Sequence, residues 1–178
     1  MPERDFQVGG EVLKHTGGYQ HVIGIDYAHH EIHDGDMFMT GIYWASIADA
    51  GTARMTYHAG TVMPHGFFEV AVGGNCKLSM IEGGTITGGT ALVIFNHQRN
   101  STKTQSGSAT HAGTLTGGTI LGIEFVPGGS KNFATGGGAR SDHEIVGLIG
   151  KAYTVELVNI SGGAIQASIQ FNWYNHNV

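Results

Sequence analysis

Ile165-Gln166-Ala167-Ser168-Ile169-Gln170-Phe171-Asn172-Trp173 alternates apolar and polar residues without a break. Successive side chains on a β-strand point to opposite faces, so this run puts Ile165, Ala167, Ile169, Phe171 and Trp173 on a buried face. The serine, the glutamines and the asparagine take the other face. Trp173 therefore reads as core, not as a platform for stacking on a sugar. Just upstream, Tyr153-Thr154-Val155-Glu156-Leu157 alternates in the same way, and Ser161-Gly162-Gly163 supplies the turn between the two runs.

Working outward, the same pattern recurs. Residues 36–45, 52–57, 67–72, 77–82, 90–96 and 119–126 are strand candidates, as are residues 20–27 and the apolar run 144–149. Glycine accounts for 30 of 178 residues and proline for three. That is about twice the usual ~7% of glycine, with no Gly-X-Y period, and it fits many short strands punctuated by turns and bulges. From residue 20 onward no helical periodicity stands out. About ten strands with Gly-rich turns predict an all-β protein, an antiparallel sandwich or barrel, with a jelly roll the expected form.

The chain is long enough for one domain with its own core. Residues 1–18, interrupted by Gly9-Gly10 and Gly17-Gly18, read as an N-terminal arm or a leading edge strand, and residues 19–178 as the β domain. Two polar stretches, 98–113 and 127–138, read as surface loops, the kind of segment that carries function or a partner. Thr87-Gly88-Gly89-Thr90-Ala91-Leu92 echoes Thr116-Gly117-Gly118-Thr119-Ile120-Leu121. Two copies are too few for a solenoid, so the echo marks two strands entered from similar turns.

Composition excludes several function classes. Charged residues make up 13% of the chain, about half the usual ~25%, and the net charge is −5. There is no Lys/Arg cluster to neutralise phosphates, so nucleic acid is not an expected partner. No apolar run approaches the ~20 residues of a membrane span, and Met1-Pro2-Glu3-Arg4-Asp5 does not open a signal peptide. The single Cys76 is expected as a small buried hydrophobe, which fits synthesis in a reducing cytoplasm. Sparse charge also fits a surface covered in part by neighbouring copies.

Titratable chemistry is dense only in Asp26-Tyr27-Ala28-His29-His30-Glu31-Ile32-His33-Asp34-Gly35-Asp36, where Asp34-Gly35 is a turn dipeptide. On a strand, His29, Glu31 and His33 would share one face, two imidazoles and a carboxylate as in non-haem iron sites. Positions 29 and 33 would then lie ~13 Å apart, too far for one ion at ~2 Å bonds. The His-x-His then Glu spacing of cupin-like metal enzymes is not met, and His58, His65, His97 and His111 are scattered along the chain. The expected role is a polar, hydrogen-bonded corner, potentially pH-sensitive because histidine titrates near 6.5. No nucleophile elbow, phosphate loop or zinc-protease motif occurs. No catalytic residue, metal or cofactor is expected.

Four segments in order resemble structural proteins of tailed bacteriophages. They are Asp26-Tyr27-Ala28-His29-His30-Glu31-Ile32-His33-Asp34-Gly35, Phe95-Asn96-His97-Gln98-Arg99-Asn100-Ser101-Thr102, Gly136-Gly137-Gly138-Ala139-Arg140-Ser141-Asp142-His143-Glu144 and Phe171-Asn172-Trp173-Tyr174-Asn175-His176. The resemblance runs from about residue 20 to the end; the Gly-rich turns around residues 83–89 depart from it. It implies a non-enzymatic virion component with a jelly-roll β-sandwich, placed on the outer surface of the head as a decoration or cement protein. The implied partners are the major capsid protein and further copies of this chain, a homotrimer over a threefold junction being the economical arrangement. The 1–18 arm and the loops around 98–113 and 127–142 are the expected contact surfaces. A tail or fibre-associated protein, a metal-dependent cupin-type enzyme and a carbohydrate-binding jelly roll, with Trp44 and the tyrosines as platforms, are the alternatives.

Overall fold

The computed structural model describes residues 6–8, 11–13, 27–128, 134–135 and 144–176. The first described elements are a two-stranded hairpin, β1 (Phe6–Val8) and β2 (Glu11–Leu13), and then α1 (Tyr27–Asp34), the one helix among the described residues. The strands that follow are β3 (Met37–Ile47), β4 (Thr52–His58), β5 (Met63–Val72), β6 (Cys76–Glu82), β7 (Thr85–Thr87), β8 (Thr90–Leu92) and β9 (Phe95–Asn96). The remainder are β10 (Ser108–His111), β11 (Thr114–Thr116), β12 (Thr119–Val126), β13 (Ala134–Thr135), β14 (Ile145–Val146), β15 (Ala152–Asn159) and β16 (Ile165–His176).

Two six-stranded sheets, antiparallel throughout, carry the domain. One runs β12-β6-β15-β4-β10-β8; the other runs β13-β5-β16-β3-β9, with β14 also on β5. The chain changes sheet at each step from β3 to β6 and again from β15 to β16. The buried faces of both sheets meet in one core, so the protein is nearly all-β and sandwich-like.

The alternation in β16 produces this core directly. Ala167, Ile169 and Trp173 are fully buried, with Phe171 beside them. Trp173 stacks on Phe171 in its own strand, 5.0 Å between ring centroids, and meets Tyr57 of the opposite sheet at 4.7 Å. Val155 and Leu157 of β15 and Met55 of β4 fill the facing layer. Burying each such side chain contributes roughly 1.5–3 kcal/mol. Cys76 is buried, as its isolation in the sequence led us to expect, and burial pushes its thiol above the ordinary range.

Asn159 ties the two sheets at one end. Its buried amide donates to the carbonyls of Ile47 (2.9 Å), Ala48 (3.0 Å) and Gly163 (2.7 Å), and its carbonyl accepts from the backbone and hydroxyl of Ser161. On the outer face of the first sheet, Thr56 and Thr154 share a hydroxyl–hydroxyl bond of 2.7 Å. Arg54 pairs there with Glu156 and reaches the Gly113 carbonyl.

Four expectations need correction. Residues 27–34 form a helix, not a strand, so the chain is not helix-free. Residues 98–113 are not one loop: Ser108–His111 joins the sheet between β4 and β8, because Ala109 is buried opposite Tyr57 and Leu92. The single strand expected at 90–96 is two strands in different sheets, and the Thr40 hydroxyl fixes the crossing by donating to the Val93 carbonyl at 2.9 Å. Of the apolar run 144–149 only Ile145–Val146 pairs, leaving Leu148 and Ile149 exposed. The echoed Thr-Gly-Gly-Thr turns each lead into a strand, β8 and β12, and the strands before them, β7 and β11, pair with each other. Residues 20–26, and 127–138 beyond Gly128 except for β13, lie outside the described residues, as does most of the 1–18 arm.

Candidate functional site

The titratable stretch folds as α1 because its end is capped. The Gly35 N–H donates to the Ile32 carbonyl (3.1 Å) and the Asp36 N–H to the Glu31 carbonyl (2.9 Å), the paired bonds of a Schellman cap. Gly35 sits at φ +75°, where glycine carries no steric penalty, and a Cβ there would collide with Ser101 and Gln98. The dipeptide read as a turn is thus the helix stop. Helical spacing then pairs residues that the strand reading separated. His30 Nδ1 lies 3.3 Å from Asp34 and 3.8 Å from Glu31, which is itself buried.

A second segment locks onto this cap. Asn96 donates from Nδ2 to the Gly35 carbonyl at 2.7 Å, while its Oδ1 accepts from the Gln98 N–H at 2.8 Å. The Lys103 ammonium binds Asp36 at 2.7 Å, and that hydrogen bond holds the lysine above its usual range. The His97 N–H donates to the Met37 carbonyl, and its Nε2 lies 3.2 Å from Asn172 Oδ1 on β16. The Asn175 N–H closes the arrangement on the Asp36 carbonyl (3.1 Å). Residues from three of the four segments singled out in the sequence, those beginning at 26, 95 and 171, therefore meet at one corner. The fourth, 136–144, lies almost wholly outside the described residues.

From this corner residues 98–107 project as a braced loop. The Ser101 N–H donates to the Gln98 carbonyl, and Ser106 Oγ accepts from the Thr61 N–H at 2.9 Å. Gln105 bonds both ways with Gly107. Arg99 stacks over Phe95, with 5.1 Å from the guanidinium to the ring centroid. Arg99, Asn100, Thr102 and Thr104 are exposed along its crest.

No family model and no curated protein matches this chain. The site is therefore described by its own geometry. Among the described residues no group of three or more His, Cys, Asp or Glu is placed to hold a metal ion. His65 packs on Tyr174 in the second sheet and His97 on Asn172, while His58 and His111 belong to β4 and β10 of the first sheet, so these histidines are not brought together. Among the described residues no helix is long and apolar enough to cross a membrane. What the corner does chemically is hold backbone. Its amides, imidazole and ammonium bond carbonyls and carboxylates, and fix where the 98–107 loop stands. Sequence reasoning missed Asn96 and Lys103 as the partners of Gly35 and Asp36, since only the fold brings positions some 60 residues apart into contact.

Proposed function

We propose that this chain is a non-enzymatic structural protein of a tailed-bacteriophage virion, a head decoration protein that binds the major capsid protein and stabilises the shell. The observation that carries the reading is the corner. Three segments that resemble the phage proteins interlock there, and the polar groups they bring are spent on bracing a presented loop. The strand order supports the finer description of the domain as a jelly roll. β3-β16-β5-β13 on one sheet faces β4-β15-β6-β12 on the other, the order given by two Greek keys wound over each other.

Such a protein works through shape and rigidity. Because it binds assembled subunits and not free ones, each contact shifts the equilibrium toward the shell by mass action. The loop at 98–107, the segment 127–142 and the 1–18 arm are the contact surfaces in this reading, and a trimer over a threefold junction is its symmetric form. Its place is the outer surface of the virion, with no nucleic acid, membrane or cofactor involved.

Co-sedimentation with undecorated heads tests the reading. Saturable binding to heads, weakened by deletion of residues 1–18 with the melting transition intact, is the expected result. Binding to isolated tails in place of heads would move the protein to the tail; binding to neither would remove it from the virion.

A further inference from the structure

We propose that the free edge of β12 pairs antiparallel with the same edge of a second copy of this chain. β12 is bound on one side only, to β6, and among the described residues nothing pairs with its other side. Its sequence is Thr-Ile-Leu-Gly-Ile-Glu-Phe-Val, and every residue but Val126 is exposed. Ile120 is 55% exposed, Leu121 51%, Ile123 57% and Phe125 61%.

The register shows how these side chains are presented. Val126 opposes the buried Cys76, so Ile123 and Phe125, opposite Ser79 and Lys77, stand on the outer face of the sheet. A bulge between Ile120 and Gly122 keeps Ile120, opposite Ile81, on that same outer face. The one charge, Glu124, takes the other face and does not interrupt the apolar stripe.

Edge strands are ordinarily protected by brevity, lysine, proline, bulges or inward charges; this one runs eight residues without lysine or proline, and its bulge and Glu124 leave Ile123 and Phe125 on the outer face. An open ladder of N–H and C=O groups is a ready template for another strand. Four half-exposed large side chains on one strand fall in the ~300–600 Å² range of a functional patch, and burying about that much on each copy gives a total under ~1,200 Å², that of a weak, concentration-dependent interface. The same edge on a second copy has the same length, the same stripe and no opposing lysine, and twofold pairing is self-complementary by construction. The opposite edge of this sheet, β8, has three residues and cannot match eight.

This contact is independent of the virion reading: it is a twofold, separate from any threefold contact on a shell. Light scattering on the purified full chain over a concentration series tests it, beside Ile123→Asp and Phe125→Asp variants. The expected result is a mass that rises with concentration to an even multiple of the 18.8 kDa chain mass, at least halved by either substitution with a cooperative melt retained. A monomer, an odd-numbered assembly, or a mass that neither substitution moves would overturn the proposal. Should Ile123→Asp fail to fold, Ile123→Ser reads the same contact. A monomer that still binds heads would assign the stripe to the shell and leave the virion reading standing.

Discussion

β16 and β12 are built from the same vocabulary, isoleucine, phenylalanine and small residues in extended runs, yet they end in opposite surroundings. β16 has a neighbour on each side and a facing sheet, and Ile169 is fully buried. Among the described residues β12 has one neighbour, and Ile123 remains more than half exposed. Burial follows the face a side chain takes as well as the strands around it: Val126, which faces the core from the same β12, is buried. The contrast also divides the molecule by role: the centre holds the fold, and the edge is where we propose that copies associate.

The largest expected effect lies at the centre. Ile169→Asp puts a carboxylate opposite Val70 and Ile42 in a core cluster whose described members include no Lys, Arg or His. An unpaired buried charge costs several kcal/mol, comparable with the ~5–15 kcal/mol of a whole domain, so the variant is expected to lack a cooperative melt. A soluble variant melting near the wild-type temperature would break the contrast.

Alkali is the next probe of the centre. Burial raises the phenol of Tyr57 well above 10, and raises Tyr153 and Cys76 above their ordinary values. Groups whose folded pKa exceeds the unfolded one contribute stability that is fully present below the unfolded pKa and is lost as pH rises. Denaturation midpoints are therefore expected to hold to about pH 8–9 and then fall through pH 10 and above, where unfolded thiols and phenols ionise. A midpoint flat to pH 11 would contradict the burial of Tyr57.

Asn159→Ala tests the join between the sheets. Removing the amide leaves the carbonyls of Ile47, Ala48 and Gly163 without that donor, a loss of about 1–3 kcal/mol, read as a lowered urea midpoint with an unchanged slope. The smallest effect on stability is expected at the edge, where Ile123→Asp lowers the melting temperature by no more than the lost association contributed. Equal destabilisation by Ile123→Asp and Ile169→Asp would erase the distinction between the strands.

The sequence made the centre legible because alternation is local. β15, β16 and β12 were visible in it, and so was the burial of Trp173 and Cys76. The edges and the corner were not, for different reasons. Whether a strand is central depends on pairing between distant segments, and no window around residues 119–126 reveals that among the described residues their far side has no partner. The helix at 27–34 was hidden because strand candidates surround it and its stop, Asp34-Gly35, is equally a turn signal. Only the bonds from Gly35 and Asp36 back to Ile32 and Glu31 separate the two readings. β10 was hidden by its polar surroundings, with Ala109 the single apolar residue facing the core.

Calorimetry of undecorated heads with and without saturating protein addresses the central claim most directly. A decoration protein built as a stiff, loop-bearing sandwich is predicted to raise the melting temperature of the shell, with a midpoint that tracks protein concentration as linkage requires. Heads that melt at the same temperature whether or not the protein is present would contradict the account.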